Sequence, residues 1–169
     1  MRVYLTGYMG AGKTTAAKRL ANKLGWTFID LDKYIEVKHQ AKITDIFKEQ
    51  GEASFRDFEK RALGDTLLWQ RTIIATGGGT PCFNNLMQTM TENGLCIYLK
   101  MPAKALVSRL MKNRKSRPIL KDIPINEFAD FIERSLQERE RFYKQSHFTF
   151  EALDREIVNK LLDCVLEVS

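Results

Sequence analysis

Short apolar runs rich in β-branched and aromatic residues alternate along the chain with longer stretches whose apolar positions recur every three to four residues. The short runs predict strands over 2–6, 27–30, 72–76, 95–99 and 147–150. The longer ones predict helices over 13–24, 32–39, 44–67, 83–93, 103–112, 124–145 and 154–167. Gly51 interrupts the third of these helices, Gly94 stands where a helix should stop, and Pro102 and Pro124 stand where helices should begin. Strands that alternate with helices pack as a parallel sheet covered on both faces. With 169 residues and no repeat, linker or low-complexity tract, a single α/β domain over 1–169 is expected.

Composition narrows the class. Apolar residues make up 44% and charged residues 28%, which places the chain among folded globular proteins. No apolar run approaches the roughly 18 residues of a membrane span. The strand-like Arg2-Val3-Tyr4-Leu5 follows the first residue directly, so no signal peptide is expected. Three separated cysteines (Cys82, Cys96, Cys164) and only two histidines (His39, His147) argue against a disulfide framework or a structural zinc site. These features predict a reduced, cytoplasmic protein, and without a long apolar edge or heptad pattern it is expected to be a monomer. The net charge of +6 asks for an anionic partner: nucleic acid, a membrane surface or a small phosphorylated ligand. The densest basic run, 112–117, contains no aromatic residue, whereas nucleic-acid grooves mix basic with stacking side chains. Neither nucleic acid nor membrane is the expected partner.

The most specific signal is Gly-Tyr-Met-Gly-Ala-Gly-Lys-Thr at 7–14, which matches G-x-x-x-x-G-K-[ST] between a strand and a helix-forming run. In such a loop the backbone N–H groups, here around Gly10, Ala11, Gly12, Lys13, Thr14 and Thr15, turn inward on phosphate oxygens, and the following helix adds its positive end. Lys13 places a cation against the β- and γ-phosphates, and the Thr14 hydroxyl can ligate Mg²⁺. Nucleotide binding follows from this motif. The acceptor does not, because GTPases, motor ATPases and small-metabolite kinases share it.

Acceptor chemistry is suggested further along. Asp30 and Asp32 sit at the carboxyl end of the second strand, where parallel sheets bind ligands. If the extended backbone persists they share one side, so that one could support Mg²⁺ while the other orients or deprotonates a hydroxyl. Asp32 could equally cap the helix that follows. Arg56 and Glu59 can pair at i,i+3, a common surface arrangement of little energetic weight. Gly77-Gly78-Gly79 ends the third strand and suits a backbone that approaches a ligand closely, or a loose turn. Arg139 falls on the stripe formed by Phe128, Phe131, Ile132, Ser135, Leu136, Phe142 and Tyr143. It must either meet an anion or lie flat with its head in water. Segment 112–123 suits a mobile lid from which Arg117 could reach a γ-phosphate.

Together, GYMGAGKT at 7–14, Asp30-Leu31-Asp32, Gly51-Glu52 with Phe55-Arg56 and Glu59, Gly77-Gly78-Gly79, Arg117-Pro118 and Arg139 before Tyr143 resemble the shikimate kinase family along nearly the whole chain. The resemblance implies a P-loop NTPase three-layer fold like the nucleoside monophosphate kinases, with a five-stranded parallel sheet, a substrate-binding region about 32–60 and a lid about 112–123. It implies transfer of the γ-phosphoryl group of ATP to the 3-hydroxyl of shikimate, on the route to chorismate and the aromatic amino acids. By the same resemblance Asp32 would take the hydroxyl proton, Arg56 and Arg139 would grip the carboxylate, and Glu59 would orient Arg56. Gly77, Gly78 and Gly79 would touch the substrate, Thr14 and Asp30 would serve Mg²⁺, and Arg117 would reach ATP. Two departures stand out: Lys112 occupies the place where relatives often carry an adenine-packing arginine, and Glu140-Arg141-Phe142 precede Tyr143. A gluconate kinase would share the phosphate loop without reason to combine the triple glycine with two arginines. A nucleotide-dependent switch or nucleic-acid-binding module would instead show salt-sensitive affinity for polyanions.

Overall fold

In β1 (Arg2–Thr6) the side chains alternate: Val3 and Leu5 face one side of the sheet and Tyr4 the other, and all three are buried. A strand buried on both faces is what a central parallel strand requires. It pairs in parallel with β3 (Thr72–Ala75) and β4 (Leu95–Lys100). The outer pairs, β2 (Thr27–Asp30) with β3 and β4 with β5 (Phe148–Glu151), are parallel as well. The order β2-β3-β1-β4-β5 makes β1 the point where the connections diverge, and the crevice at such a point is where these sheets bind ligands. The computed structural model describes residues 1–117 and 119–169, so the Pro118 half of the Arg117-Pro118 motif lies outside the described residues.

One face is covered by α1 (Lys13–Leu24) and α7 (Ile157–Val168), through Ala16, Ala17, Leu20, Leu161 and Val165. The other is covered by α2 (Leu31–His39), α3 (Ile43–Thr66) and α4 (Leu86–Asn93), through Leu31, Ile35, Leu63, Met87 and Met90. Beyond the carboxyl end of the sheet, α5 (Ala103–Lys112) and α6 (Ile125–Tyr143) form a third apolar cluster with Tyr8, Ala11 and Leu120. Leu120 is fully buried, so it is anchored in the same cluster as Tyr8 and Ala11 of the phosphate loop.

The predicted break in α3 falls at Gly51, whose φ of 82° divides the helix into two arms. The predicted helix 83–93 begins later. A 3₁₀ turn over Thr80–Cys82 comes first, and Asn84 and Asn85 then adopt φ of 52° and 55°, a conformation asparagine tolerates well. That delay leaves Phe83 outside the helix, beside the site. The last helix also starts late, at Ile157, after a turn in which Asp154 accepts from the Glu156 amide.

Candidate active site

Gly12, at φ 89°, turns the chain into α1, so that Lys13 opens the helix. The Lys13 ammonium donates to the carbonyls of Gly7 at 2.7 Å and Tyr8 at 2.9 Å, inside its own loop. Burial lowers its pKa to about 8, opposed by the charge of Asp32 and reinforced by that of Arg117. The Thr14 hydroxyl donates to Asp30 Oδ2 at 2.7 Å. A hydroxyl and a carboxylate in this relation are hard oxygen donors of the kind Mg²⁺ takes. Among the described residues no cluster of three metal-ligating side chains exists. The pair therefore fits a magnesium ion that keeps waters and phosphate oxygens among its ligands rather than a protein cage.

The extended backbone assumed for Asp30 and Asp32 ends at Asp30. The chain becomes helical at Leu31, and Asp30 itself caps α2, its Oδ1 accepting from the Lys33 amide at 3.2 Å. Capping thus belongs to Asp30, and Asp32 in the first turn is released toward the crevice. Its carboxyl is raised to about 6, first by burial and then by the neighbouring charges of Glu59 and Asp30.

Among the described residues the buried charged side chains are Lys13, Arg56 and Glu59. Among the described residues charge is buried only around this crevice, which overturns the surface reading of the Arg56–Glu59 pair. Arg56 Nη1 donates to Glu59 Oε2 at 2.5 Å, and Glu59 Oε1 accepts from the Thr80 hydroxyl at 2.5 Å. The Arg56 guanidinium sits over the Phe83 ring, with Cζ 3.9 Å from the ring centre. The Nε and Nη2 groups of Arg56 donate to Glu52 Oε1 at 3.3 and 3.1 Å.

The triple glycine serves this cluster. None of Gly77, Gly78 and Gly79 has a left-handed backbone. A β-carbon on Gly77 would lie 2.9 Å from both Asp32 Oδ1 and Thr80 Oγ1, and one on Gly79 would lie 2.8 Å from both Nη groups of Arg56. A side chain at either position would thus press on the site's own carboxylate or guanidinium, and all three glycines line the cavity.

Arg139 reaches the same cavity from α6, with its guanidinium 5.4 Å from the Tyr8 ring centre. Among the described residues it belongs to no ion pair. The Tyr8 hydroxyl donates to Ser135 at 2.9 Å and the Tyr143 hydroxyl to the Gly78 carbonyl at 2.5 Å, which ties α6 to the phosphate loop and to the triple glycine. The resulting cavity holds about 140 Å³. Met9, Phe47, Phe55 and Ile119 give it apolar walls, and Asp32, Arg56, Glu59, Arg117 and Arg139 give it charge. Arg117 and Ile119 bring segment 112–123 to its mouth.

A second cavity of about 390 Å³ opens on the far side of the phosphate loop, between Gly12, Thr15, Arg19, Arg109 and Arg155. Arg109 Nη1 donates to the Gly10 carbonyl at 3.2 Å. Arg109, one turn before Lys112, is therefore bonded to the loop, whereas Lys112 does not line this cavity. Sequence reasoning also missed Thr80, Tyr8, Phe83 and Ser135. Only Thr80 carries a local signal, since it directly follows the glycines. Cys82 lies nearby, and burial pushes its thiol up to about 11.

Comparison with known proteins places this geometry. The sequence profile described as shikimate kinase matches residues 9–167. A shikimate kinase of Bacteroides fragilis is 43% identical over 150 residues, covering 89% of this chain and 84% of the relative. The crystal structure of shikimate kinase from Bacteroides thetaiotaomicron superposes with a TM-score of 0.88 at 38% identity, covering 99% of this chain and 97% of that one. That of the Acinetobacter baumannii enzyme in complex with shikimate gives 0.89 at 31% identity, covering 99% and 94%.

Proposed function

The chain belongs to the shikimate kinase family, and we propose that its cavity between Asp32, Arg56 and Arg139 seats shikimate for phosphorylation by ATP at the 3-hydroxyl. The observation that supports this most is a pair of guanidinium groups and a carboxylate of raised pKa around one small cavity beside the phosphate loop. Two guanidinium groups suit an acceptor that brings a carboxylate, and Asp32 suits a hydroxyl that must lose its proton.

ATP lies along the loop with its phosphates on the backbone of Gly10, Ala11, Gly12, Lys13, Thr14 and Thr15 and its base toward Arg109. Lys13 exchanges its two carbonyl partners for phosphate oxygens. Thr14 and Asp30 would hold Mg²⁺, which would supply neutralisation of phosphate charge. Arg56, oriented by Glu59, and Arg139 grip the shikimate carboxylate, and the backbone of Gly77, Gly78 and Gly79 lines its ring. Asp32 takes the proton of the 3-hydroxyl, whose oxygen bonds to the γ-phosphorus as the bond to the β–γ bridging oxygen breaks, releasing ADP. Arg117 meets the transferring charge from the lid about 112–123, which also excludes water. The chain works as one kinase domain over 1–169, a cytoplasmic monomer whose partners are ATP and shikimate rather than nucleic acid or membrane.

Two substitutions test the carboxylate grip. Arg139→Ala should raise the KM for shikimate by at least about 30-fold, the loss expected for one partner of a buried charge pair, with the KM for ATP little changed. Unaltered shikimate kinetics would remove Arg139 from the site. Gly79→Ala pushes a methyl group against a guanidinium already held by Glu59 and Phe83. A displacement of that order should cost up to about a hundredfold in kcat/KM for shikimate. An unchanged kcat/KM for shikimate would mean that Arg56 yields without harm.

A further inference from the structure

We infer that Glu52 competes with the acceptor's carboxylate for Arg56, and so sets how tightly the enzyme holds an anionic acceptor; this rests on Arg56 being the carboxylate grip proposed above. The two acids bound to Arg56 differ in kind. Glu59 is closed in, with its side chain 1% exposed, and it meets Nη1 at 2.5 Å while Thr80 holds its other oxygen. Glu52 has a side chain 55% exposed and meets Nε and Nη2 at 3.3 and 3.1 Å, longer than the usual 2.7–2.9 Å of a charge-assisted bond.

Nε and Nη2 form the edge of a guanidinium that offers two parallel donors, the geometry a carboxylate takes best. That edge is the one Glu52 holds. Arg56 does not need Glu52 for its orientation, because Glu59 fixes Nη1, Phe83 covers the plane, and Gly79 closes off the space beside both Nη groups. Glu52 stands one residue past the Gly51 break, at the start of the second arm of α3, and it is exposed enough to swing into water without disturbing a packed contact. An incoming acid and Glu52 cannot both take the same donors, and two anions on one guanidinium already bound to Glu59 would repel each other. The acceptor therefore displaces Glu52, and its apparent affinity is lowered by the strength of the contact it displaces.

The test compares wild type, Glu52→Gln, Glu52→Ala and Asp57→Asn. Asp57→Asn removes an exposed negative charge from the same arm of α3 and serves as the control for a general field effect. Initial rates at saturating ATP are measured against shikimate, and equilibrium binding of shikimate and of its uncharged methyl ester is measured by calorimetry. Removing Glu52 should lower the KM and Kd for shikimate about three- to fivefold, the scale of a half-exposed ion pair. Glu52→Ala should do so at least as strongly as Glu52→Gln, with kcat, the KM for ATP and ester binding unmoved. A higher or unchanged KM in both variants would overturn the inference, as would an equal gain in Asp57→Asn or an equal gain for the ester. A wild-type protein that binds no shikimate would overturn the acceptor reading together with this inference. Wild-type binding with no response to Glu52 would overturn this inference alone.

Discussion

Asp32→Asn should lower shikimate-dependent ADP release by about two to four orders of magnitude, the range expected for loss of a positioned general base, while ATP still binds. The chain turns helical at Leu31 and Asp30 takes the cap, so the Asp32 carboxylate is left facing the cavity with Glu59 and Asp30 close to it. With its pKa raised to about 6, Asp32 is a base only above that pH. The kcat/KM for shikimate should therefore rise as pH increases through about 6, and Asp32→Asn should lack that limb. The same shift has a sign for stability. A carboxyl whose folded pKa lies above its unfolded value of 3.8 binds the extra proton in the folded state, so stability falls as pH rises from about 4 through about 6. At neutral pH Asp32→Asn should accordingly be more stable, by up to about 3 kcal/mol for a shift of this size. A variant that is both inactive and more stable is the signature of a site held at the expense of the fold. Retained activity, or a lower melting temperature, would contradict the role given to Asp32.

Lys13→Met should lower phosphoryl transfer at least about a hundredfold for any acceptor, as removal of a preorganised donor to developing charge does. Methionine keeps most of the buried bulk, so the loss can be separated from unfolding by thermal denaturation. Because burial brings the Lys13 ammonium down to about 8 in the protein without nucleotide, wild-type kcat/KM for ATP should decline above that pH, while kcat/KM for shikimate keeps the Asp32 limb near 6. The effects of Lys13→Met and Arg139→Ala should differ in kind: the first acts on kcat with every acceptor, the second on the KM of an acid acceptor. A Lys13 variant impaired only with shikimate would misplace the lysine.

Parts of this site can be read directly from the chain because their residues are contiguous. The phosphate loop needs its glycines, lysine and threonine in one fixed order, and the strand before it and helix after it are plain in the apolar pattern. Gly51 likewise marks the break in α3 by type alone. Long-range contacts are less visible. Arg56 and Glu59 look like any surface i,i+3 pair, and what distinguishes them is burial by Thr80 and Phe83, which are more than twenty residues away. Phe83 reads as part of a helix until the two asparagines after it turn left-handed. Arg109 and Lys112 are one turn apart on the same helix, and only the packing of Leu106 and Leu110 against the phosphate-loop cluster brings Arg109, rather than Lys112, to the loop. The extended run assumed through Asp32 also stops at Asp30, since where β2 gives way to α2 depends on pairing with β3, which stops at Ala75 opposite Asp30.

The most direct test is ADP release by the purified chain with Mg²⁺ and ATP, comparing shikimate, its methyl ester, gluconate and no acceptor. The cavity predicts rapid release with shikimate and at least about a hundredfold lower kcat/KM with the ester, because the buried Arg56 and half-buried Arg139 guanidinium groups lose their anion. Gluconate should give no more than the background without acceptor. Equal turnover of the ester, or a preference for gluconate, would contradict the assignment of Arg56 and Arg139 as the grip on shikimate.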